Sequence, residues 1–501
     1  MTEINSRGLL RSMAIIGSAQ AVRIVITILR AKVVAVLLGP SGIGLLSMFN
    51  NLREMASLGA GLGLSSSGVR ELSAAKGEPE TLSRVRRVLL GALLIQGVIA
   101  MALIWIARVP VAEWLLGSAD HATEVGLVGV AVFLFLLGSS QTTLLQGMRH
   151  IGDLGRVTVW GTFVGTLVGL GGVVILGESG LIWLILAPPA TGILIALRYT
   201  LRLPPPDTVR MTPGDIWRAW LPMVKLGVVF MIGSLVTIAT LLLVRAWITQ
   251  ELGLEAAGYF AAAWSITMIY VGFLLQAMGA DYFPRLTAVI RDRDAAMQLM
   301  NDQIQLALAL GGPLLLILIG CAPWLIRLLY SPAFDPAVTI LQWQTVGNVF
   351  KLASWALSFA FVAAARSGIF LLLEIAFNVF FIGFLFFGLP LLGLSIVGTG
   401  FLFSYIFYFM IVAFLAHRLQ GFRWQPLSLR LLGLHVLLAS VLLVLSLAFP
   451  IAGALASLGL GIIVALWGGH VVIAKIGSHG RLVSKVARVY ELLGWPIRNV
   501  R

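Results

Sequence analysis

The chain has 501 residues, of which 59 % are hydrophobic and 11 % charged, with a mean hydropathy of +0.99. A soluble domain carries about 25 % charged and about 45–50 % apolar residues, so composition excludes an ordinary soluble protein, a disordered chain, a collagen and a disulfide scaffold. The net charge of +14 would suggest nucleic acid in a soluble protein, but in a chain this apolar it reads as basic loops on one side of a membrane, with no nucleic-acid partner expected.

A helix needs about 20 apolar residues to cross about 30 Å of hydrocarbon. Uninterrupted apolar runs of that length exclude an outer-membrane barrel, whose strands alternate. The expected fold class is therefore an all-α polytopic membrane protein with about fourteen transmembrane helices. In chain order the expected spans are 13–38, 42–67, 87–107, 124–147, 155–176, 181–203, 221–248, 257–283, 303–329, 337–364, 367–388, 392–416, 431–449 and 453–474. The first contains arginines and is too long for a cleavable signal peptide. Cys321 is the single cysteine, so no intramolecular disulfide or cysteine-based metal cluster is expected.

Loop charges test the count. One set of loops carries Arg70, Lys76, Arg84, Arg86 and Arg87, then Arg149 and Arg156, and continues through Arg198, Arg210, Arg285, Arg291, Arg366, Arg418 and Arg430. The alternate loops hold Arg108, Glu113, Asp120, Glu178, Glu251, Glu255 and Asp335. The positive-inside rule makes the basic set cytoplasmic, and an even number of spans puts both termini there too. The tail at 475–501 is basic, with Leu482, Val486, Val489 and Leu493 on one helical face. It reads either as a helix on the inner leaflet or as a solvated tail.

Pro204-Pro205-Pro206 interrupts any helix and sits near the midpoint of the first twelve spans. The expected organisation is an N-terminal six-helix bundle (1–203), a cytoplasmic linker (204–220), a C-terminal six-helix bundle (221–418), two additional helices (431–474) and the basic tail. The halves share a motif. Leu38-Gly39-Pro40-Ser41-Gly42-Ile43-Gly44 links spans one and two, and Leu252-Gly253-Leu254-Glu255-Ala256-Ala257-Gly258 links spans seven and eight; both read L-G-x4-G. Six spans per half would relate the bundles by an axis along the membrane normal. That is a plan of alternating-access transporters, with substrate between the halves.

A charge at the bilayer centre costs at least about 2.5–3.5 kcal/mol on insertion scales and marks a cavity or a partner. Arg23 and Arg30 are seven apart in the first span and share a face. Arg53 and Glu54 lie midway along the second, Lys225 and Arg245 in the seventh, Lys351 in the tenth and Glu374 in the eleventh. Gln344, Asn348 and Lys351 form a polar stripe, and Asn378 follows Glu374 at i+4. Basic residues outnumber acidic ones in this set, so a cationic cavity suited to an anion is expected, with arginine able to grip phosphate oxygens in pairs. Alternatives stand beside this reading: a structural ion pair for Arg53 and Glu54, snorkelling for Lys225 and Arg245, and helix–helix hydrogen bonding for the Gln344 stripe. Trp355 lies on the face of Asn348 and is a candidate for stacking on a sugar ring.

There is no Walker A sequence, no H-E-x-x-H and no histidine pair at metal-ligand spacing, so no catalytic residues, metal or cofactor are expected. The longest external loop, around 108–123, is too small for a glycosyltransferase or polymerase site. Transport would then be passive, partner-driven or coupled to an H⁺ or Na⁺ gradient. Glu374 is the first candidate for the coupling carboxylate, Glu54 the second and Asp281 the third.

Leu37-Leu38-Gly39-Pro40-Ser41-Gly42-Ile43-Gly44 with Phe49, Tyr282-Phe283-Pro284-Arg285-Leu286, and above all Trp343-Gln344-Thr345-Val346-Gly347-Asn348-Val349-Phe350-Lys351 resemble segments of Wzx-type polysaccharide flippases. The last is similar to the W-Q-x-V-G-[DN]-x-x-K signature of O-antigen and enterobacterial-common-antigen lipid flippases. These belong to the multidrug/oligosaccharidyl-lipid/polysaccharide exporter superfamily, and the resemblance covers roughly residues 10–418. It implies an undecaprenyl-diphosphate-linked oligosaccharide moved between leaflets of the inner membrane, with membrane lipids and polysaccharide assembly proteins as partners. An ion-coupled drug exporter of the same superfamily is the alternative, although exporters of that kind handle mostly cations. Fourteen spans resemble the lipid II flippases of the superfamily, which implies that the extra pair lines a groove for a lipid tail.

Overall fold

The computed structural model describes residues 6–203, 212–476, 490 and 495, and among them there is no β-strand. The triple proline and most of the basic tail lie outside the described residues. Fifteen helices are present among the described residues. In order they are α1 (Ser6–Gly61), α2 (Leu64–Ala74), α3 (Pro79–Ile106), α4 (Arg108–Leu116), α5 (Ala122–Gly147), α6 (Ile151–Leu176), α7 (Trp183–Thr200) and α8 (Pro213–Leu252). There follow α9 (Leu254–Val289), α10 (Arg293–Leu329), α11 (Pro336–Ala363), α12 (Ser367–Leu392), α13 (Ser395–Gln420), α14 (Pro426–Ala448) and α15 (Pro450–Ile476).

Eleven stretches of the described residues are long and apolar enough to cross a membrane, and one of them, Ile151–Thr200, contains both α6 and α7. The two limbs of α1 are not among the eleven. They carry the intramembrane charges Arg23, Arg30 and Lys32 on one side of a break, and Arg53 and Glu54 on the other. The second limb, Pro40–Gly61, is still about 33 Å long at 1.5 Å per residue. With α6 and α7 separated and the two limbs added, fourteen segments are available to span.

The break in α1 is Gly39, at φ 64° and ψ −160°, with Pro40 starting the second limb where a missing N–H costs nothing. Gly253 does the same work between α8 and α9, at φ 86° and ψ 170°. The two L-G-x4-G motifs therefore turn alike, and they meet. A Cβ on Gly44 would overlap the carbonyl oxygen of Leu254, and a Cβ on Gly258 would overlap that of Pro40. The contact is reciprocal: the last glycine of each motif rests on the third residue of the other.

The chain divides into two units, Met1–Ala261 with Leu329–Ala333, and Ala262–Leu328 with Phe334–Arg501. In the first unit α6 and α7 approach at backbone distance, with Gly165 against Pro188 and Gly161 against Gly192. In the second, α14 and α15 share one apolar core with α10 and α11, through Leu431, Leu442 and Val464 beside Ile304 and Val349. A buried polar knot fastens α14 to α10. Asn301 Nδ2 donates to the Arg423 carbonyl at 2.9 Å, and Asn301 Oδ1 accepts from Gln425 N (2.9 Å) and Ser428 Oγ (2.8 Å). Between α10 and α11, Arg327 donates twice to Asp335, at 2.9 and 2.7 Å, and holds that carboxyl below the usual carboxylate range.

A branched side chain at either crossing glycine must push two backbones apart, an overpacking that typically costs about 1–3 kcal/mol. Gly44→Val and Gly258→Val should each lower the melting temperature of the purified protein. Gly233→Ala, where the space is open, should leave it unchanged or raise it.

Candidate functional site

A pocket of about 380 Å³ opens in the first unit, walled by α1, α5, α6 and α7. Arg23, Thr27 and Arg30 enter it from one face of the first limb of α1, at i, i+4 and i+7. Asn50 and Arg53 enter from the second limb, which the Gly39 break folds back beside the first. Three of the cations expected in the membrane are thus brought together. The Arg53 guanidinium stands 5.2 Å above the Phe135 ring, and Arg30 Nε is buried with no hydrogen-bond partner. Among the described residues none of the three arginines forms an ion pair within 4.0 Å.

The rest of the lining offers acceptors. Ser139, Thr142, Thr158 and Thr162 donate their hydroxyl hydrogens to carbonyls one turn back in their own helices, at 2.8–3.3 Å. Their oxygens keep lone pairs for a ligand hydroxyl. Pro188 and Pro189 lie inside α7 and supply no N–H to the carbonyls of Leu184 and Ile185, four residues earlier; all four residues line the pocket. Three guanidinium donors above a floor of hydroxyl and carbonyl acceptors suit a polyanion attached to a polyol.

The other expected residues lie elsewhere. Lys225 is exposed on α8. Arg245 is 6 % exposed and bonds rather than lines: its Nη1 donates to the Ser47 carbonyl at 3.5 Å, and its guanidinium lies 5.7 Å from the Phe260 ring. It ties α8 to the second limb of α1 beside the crossing glycines. Glu54 is exposed. Asp281 makes an exposed i,i+4 pair with Arg285 at 3.0 Å.

The second unit holds the remainder. On α11, Gln344 and Asn348 are fully buried. Gln344 Oε1 accepts from Thr267 at 3.0 Å, which is interhelical hydrogen bonding, while both polar atoms of Asn348 lack partners. Lys351 Nζ lies 3.6 Å from Met268 Sδ and 5.3 Å from the centre of the Tyr405 ring. Glu374 accepts from Tyr408 OH at 3.0 Å. Among the described residues it forms no ion pair with Lys351 or Arg366 within 4.0 Å. Asn378 bonds the Glu374 backbone carbonyl at 2.7 Å and leaves the carboxylate alone. Trp355 packs against Phe359 (4.7 Å) and Tyr282 (5.8 Å), in an aromatic cluster. Sequence reasoning passed over Tyr405 and Tyr408. It also passed over the polar run Ser139–Thr142 and the Pro188-Pro189 pair, both legible as anomalies inside apolar spans.

The family described as polysaccharide biosynthesis protein matches residues 33–339. The lipid III flippase of Escherichia coli (strain K12) is 23 % identical over 357 residues, 70 % of this chain and 84 % of that protein. Among solved structures, the lipid II flippase MurJ in an inward closed conformation aligns with a TM-score of 0.68 at 14 % identity, over 91 % of this chain and 98 % of that one. An inward-facing multidrug resistance MATE family transporter of the MOP superfamily aligns with a TM-score of 0.64 at 15 % identity, over 80 % and 94 %. At these identities the structures establish a shared fold.

If the pocket is an anion site, inorganic diphosphate should raise the melting temperature of the purified protein, by the equivalent of about 2.7 kcal/mol at 100 times Kd. Arg30→Ala should lose that shift while Glu54→Gln keeps it. An unchanged shift in Arg30→Ala would remove the pocket as the site.

Proposed function

The chain belongs to the polysaccharide biosynthesis protein family, and on that premise we propose that it is a flippase for a lipid-linked oligosaccharide. It carries an undecaprenyl-diphosphate-linked glycan from the cytoplasmic to the periplasmic leaflet of the inner membrane, by alternating access and without making or breaking a covalent bond. The observation that carries this reading is the pocket in which Arg23, Arg30 and Arg53 meet with, among the described residues, no carboxylate in ion-pair range. A diphosphate supplies the missing negative charge, and paired N–H groups fit its oxygens. The hydroxyl wall suits the first sugar.

Orientation follows from charge. The connections carrying Arg84, Arg86, Arg156, Arg285 and Arg366 face the cytoplasm, and both termini lie on that side. A drug exporter of the MATE kind shares the fold, but a cationic substrate would be repelled by three arginines.

The energy source in this reading is an H⁺ or Na⁺ gradient acting at Glu374. Its position supports the role: a carboxylate inside a spanning helix, held by a tyrosine hydroxyl rather than a cation, with Lys351 nearby to take its charge in another conformation. Polysaccharide assembly proteins would draw the product away on the far side.

Arg30→Ala should abolish surface polysaccharide at normal membrane levels of the protein, and Arg30→Lys should reduce it strongly, because a lysine loses the paired contact. Normal polysaccharide in both variants overturns the reading. In vesicles holding a fluorescent lipid-linked glycan, Glu374→Gln should flip substrate but ignore an imposed proton or sodium gradient to which the parent responds. A Glu374→Gln variant as responsive as the parent removes Glu374 from the coupling step.

A further inference from the structure

A second cavity, of about 370 Å³, lies on the outer side of the seam between α1 and α6. It is lined almost wholly by small or apolar groups, among them Ser18, Ala19, Val22, Gly155 and Trp160. Val22 is 43 % exposed and Trp160 54 % exposed. On spanning helices such surfaces meet lipid. Higher on the same seam Val25, Leu29, Phe163 and Leu167 are exposed as well, so an apolar track continues along it.

This groove backs directly on the arginine pocket. Val22 lines the groove and Arg23, one residue and 100° further round α1, lines the pocket. On α6, Gly155, Val159 and Trp160 line the groove, while Thr158, Gly161 and Thr162 line the pocket. The wall between the two is thin. Around Arg23, α1 is exposed on most sides, and Ala19 is its buried contact there. Gly155 makes the contact on α6: a Cβ on it would stand 3.0 Å from Ile15 Cγ2 and 3.8 Å from Ala19 Cβ. At the groove mouth Arg156, paired with Asp153 at 3.0 Å, adds a cation where a phosphate would pass.

We infer that the groove between α1 and α6 holds the isoprenoid chain of the substrate while the diphosphate sits on Arg23, Arg30 and Arg53. The inference rests on the flippase reading and deepens it. A charged head and an apolar tail joined by one bond need a polar and an apolar site back to back, with a thin wall between them. The seam provides that, and it does so inside one unit. On this inference the tail rests in the first unit rather than on the extra helices α14 and α15.

The test is a pair of binding measurements on the purified full chain, with geranylgeranyl diphosphate and with inorganic diphosphate. Ser18→Trp fills the groove from an exposed position. It should weaken geranylgeranyl diphosphate about tenfold or more, the equivalent of about two buried methylenes lost, and leave inorganic diphosphate unchanged. Leu455→Trp, on the exposed face of α15, should change neither. Unchanged binding of both probes to Ser18→Trp overturns the groove, as does a Leu455→Trp variant that alone weakens the isoprenoid probe. If Arg30→Ala binds both probes as the parent does, the flippase reading fails and the groove with it. If Arg30→Ala loses both probes while Ser18→Trp keeps both, the groove alone fails.

Discussion

An arginine in hydrocarbon without a carboxylate is the constraint on which this molecule turns. A charge at the bilayer centre costs at least about 2.5–3.5 kcal/mol by insertion scales, a large share of the about 5–15 kcal/mol that a folded domain keeps; Arg30 and Arg53 are half-buried, while Arg23 is exposed. Among the described residues no acidic neighbour lies in ion-pair range of Arg23, Arg30 or Arg53. The chain gathers them instead around a cavity large enough for water and a ligand, and shields Arg53 with the Phe135 ring. Like charges held together repel, so an anion entering the cavity relieves both desolvation and repulsion. The pocket is stable in proportion to what it binds.

Holding those cations in one place requires helices that are interrupted. Arg30 and Arg53 belong to the same run of helix and would lie far apart if it were straight; Gly39 and Pro40 fold it back. Pro188 and Pro189 open α7 where the pocket needs acceptors. The price is backbone exposed at membrane depth, and the reciprocal crossing of Gly44 and Gly258 compensates by bringing the two turned linkers into contact.

Much of this was legible in residue types and spacing. The helical class followed from hydropathy. The pairing of Arg23 with Arg30 followed from a seven-residue interval, and each L-G-x4-G motif was placed as a linker by its position between two spans. What spacing could not convey was which helices lie side by side. Arg53 joins the pocket and Arg245 does not, though both are arginines in apolar spans, because the second limb of α1 lines the cavity while Arg245 on α8 bonds the Ser47 carbonyl. Asn378 was on the right face but bonds a backbone carbonyl, and the partner of Glu374 is Tyr408, 34 residues away on another helix. The aromatic neighbours of Trp355, Tyr282 and Phe359, are distributed along the chain and converge only on folding. Asp281 was expected near a helix end within reach of water; its helix continues to Val289, and the carboxylate is exposed and paired with Arg285.

The two clusters fall in different units: the three arginines around the pocket in the first, and the tyrosine-held carboxylate in the second. Each can act only by binding one conformation more tightly than another, since a ligand shifts an equilibrium by its differential affinity and by nothing else. Moving a population from 1:99 to 99:1 takes about 5.5 kcal/mol of such difference. In the proposed cycle an anion on the arginine cluster supplies much of that on loading, and for the same reason it resists release. A cation arriving at a buried carboxylate in the other unit is then the useful second ligand. In the proposed cycle its differential affinity opposes the one that loading establishes, so that the gradient is spent on letting the substrate go rather than on taking it up.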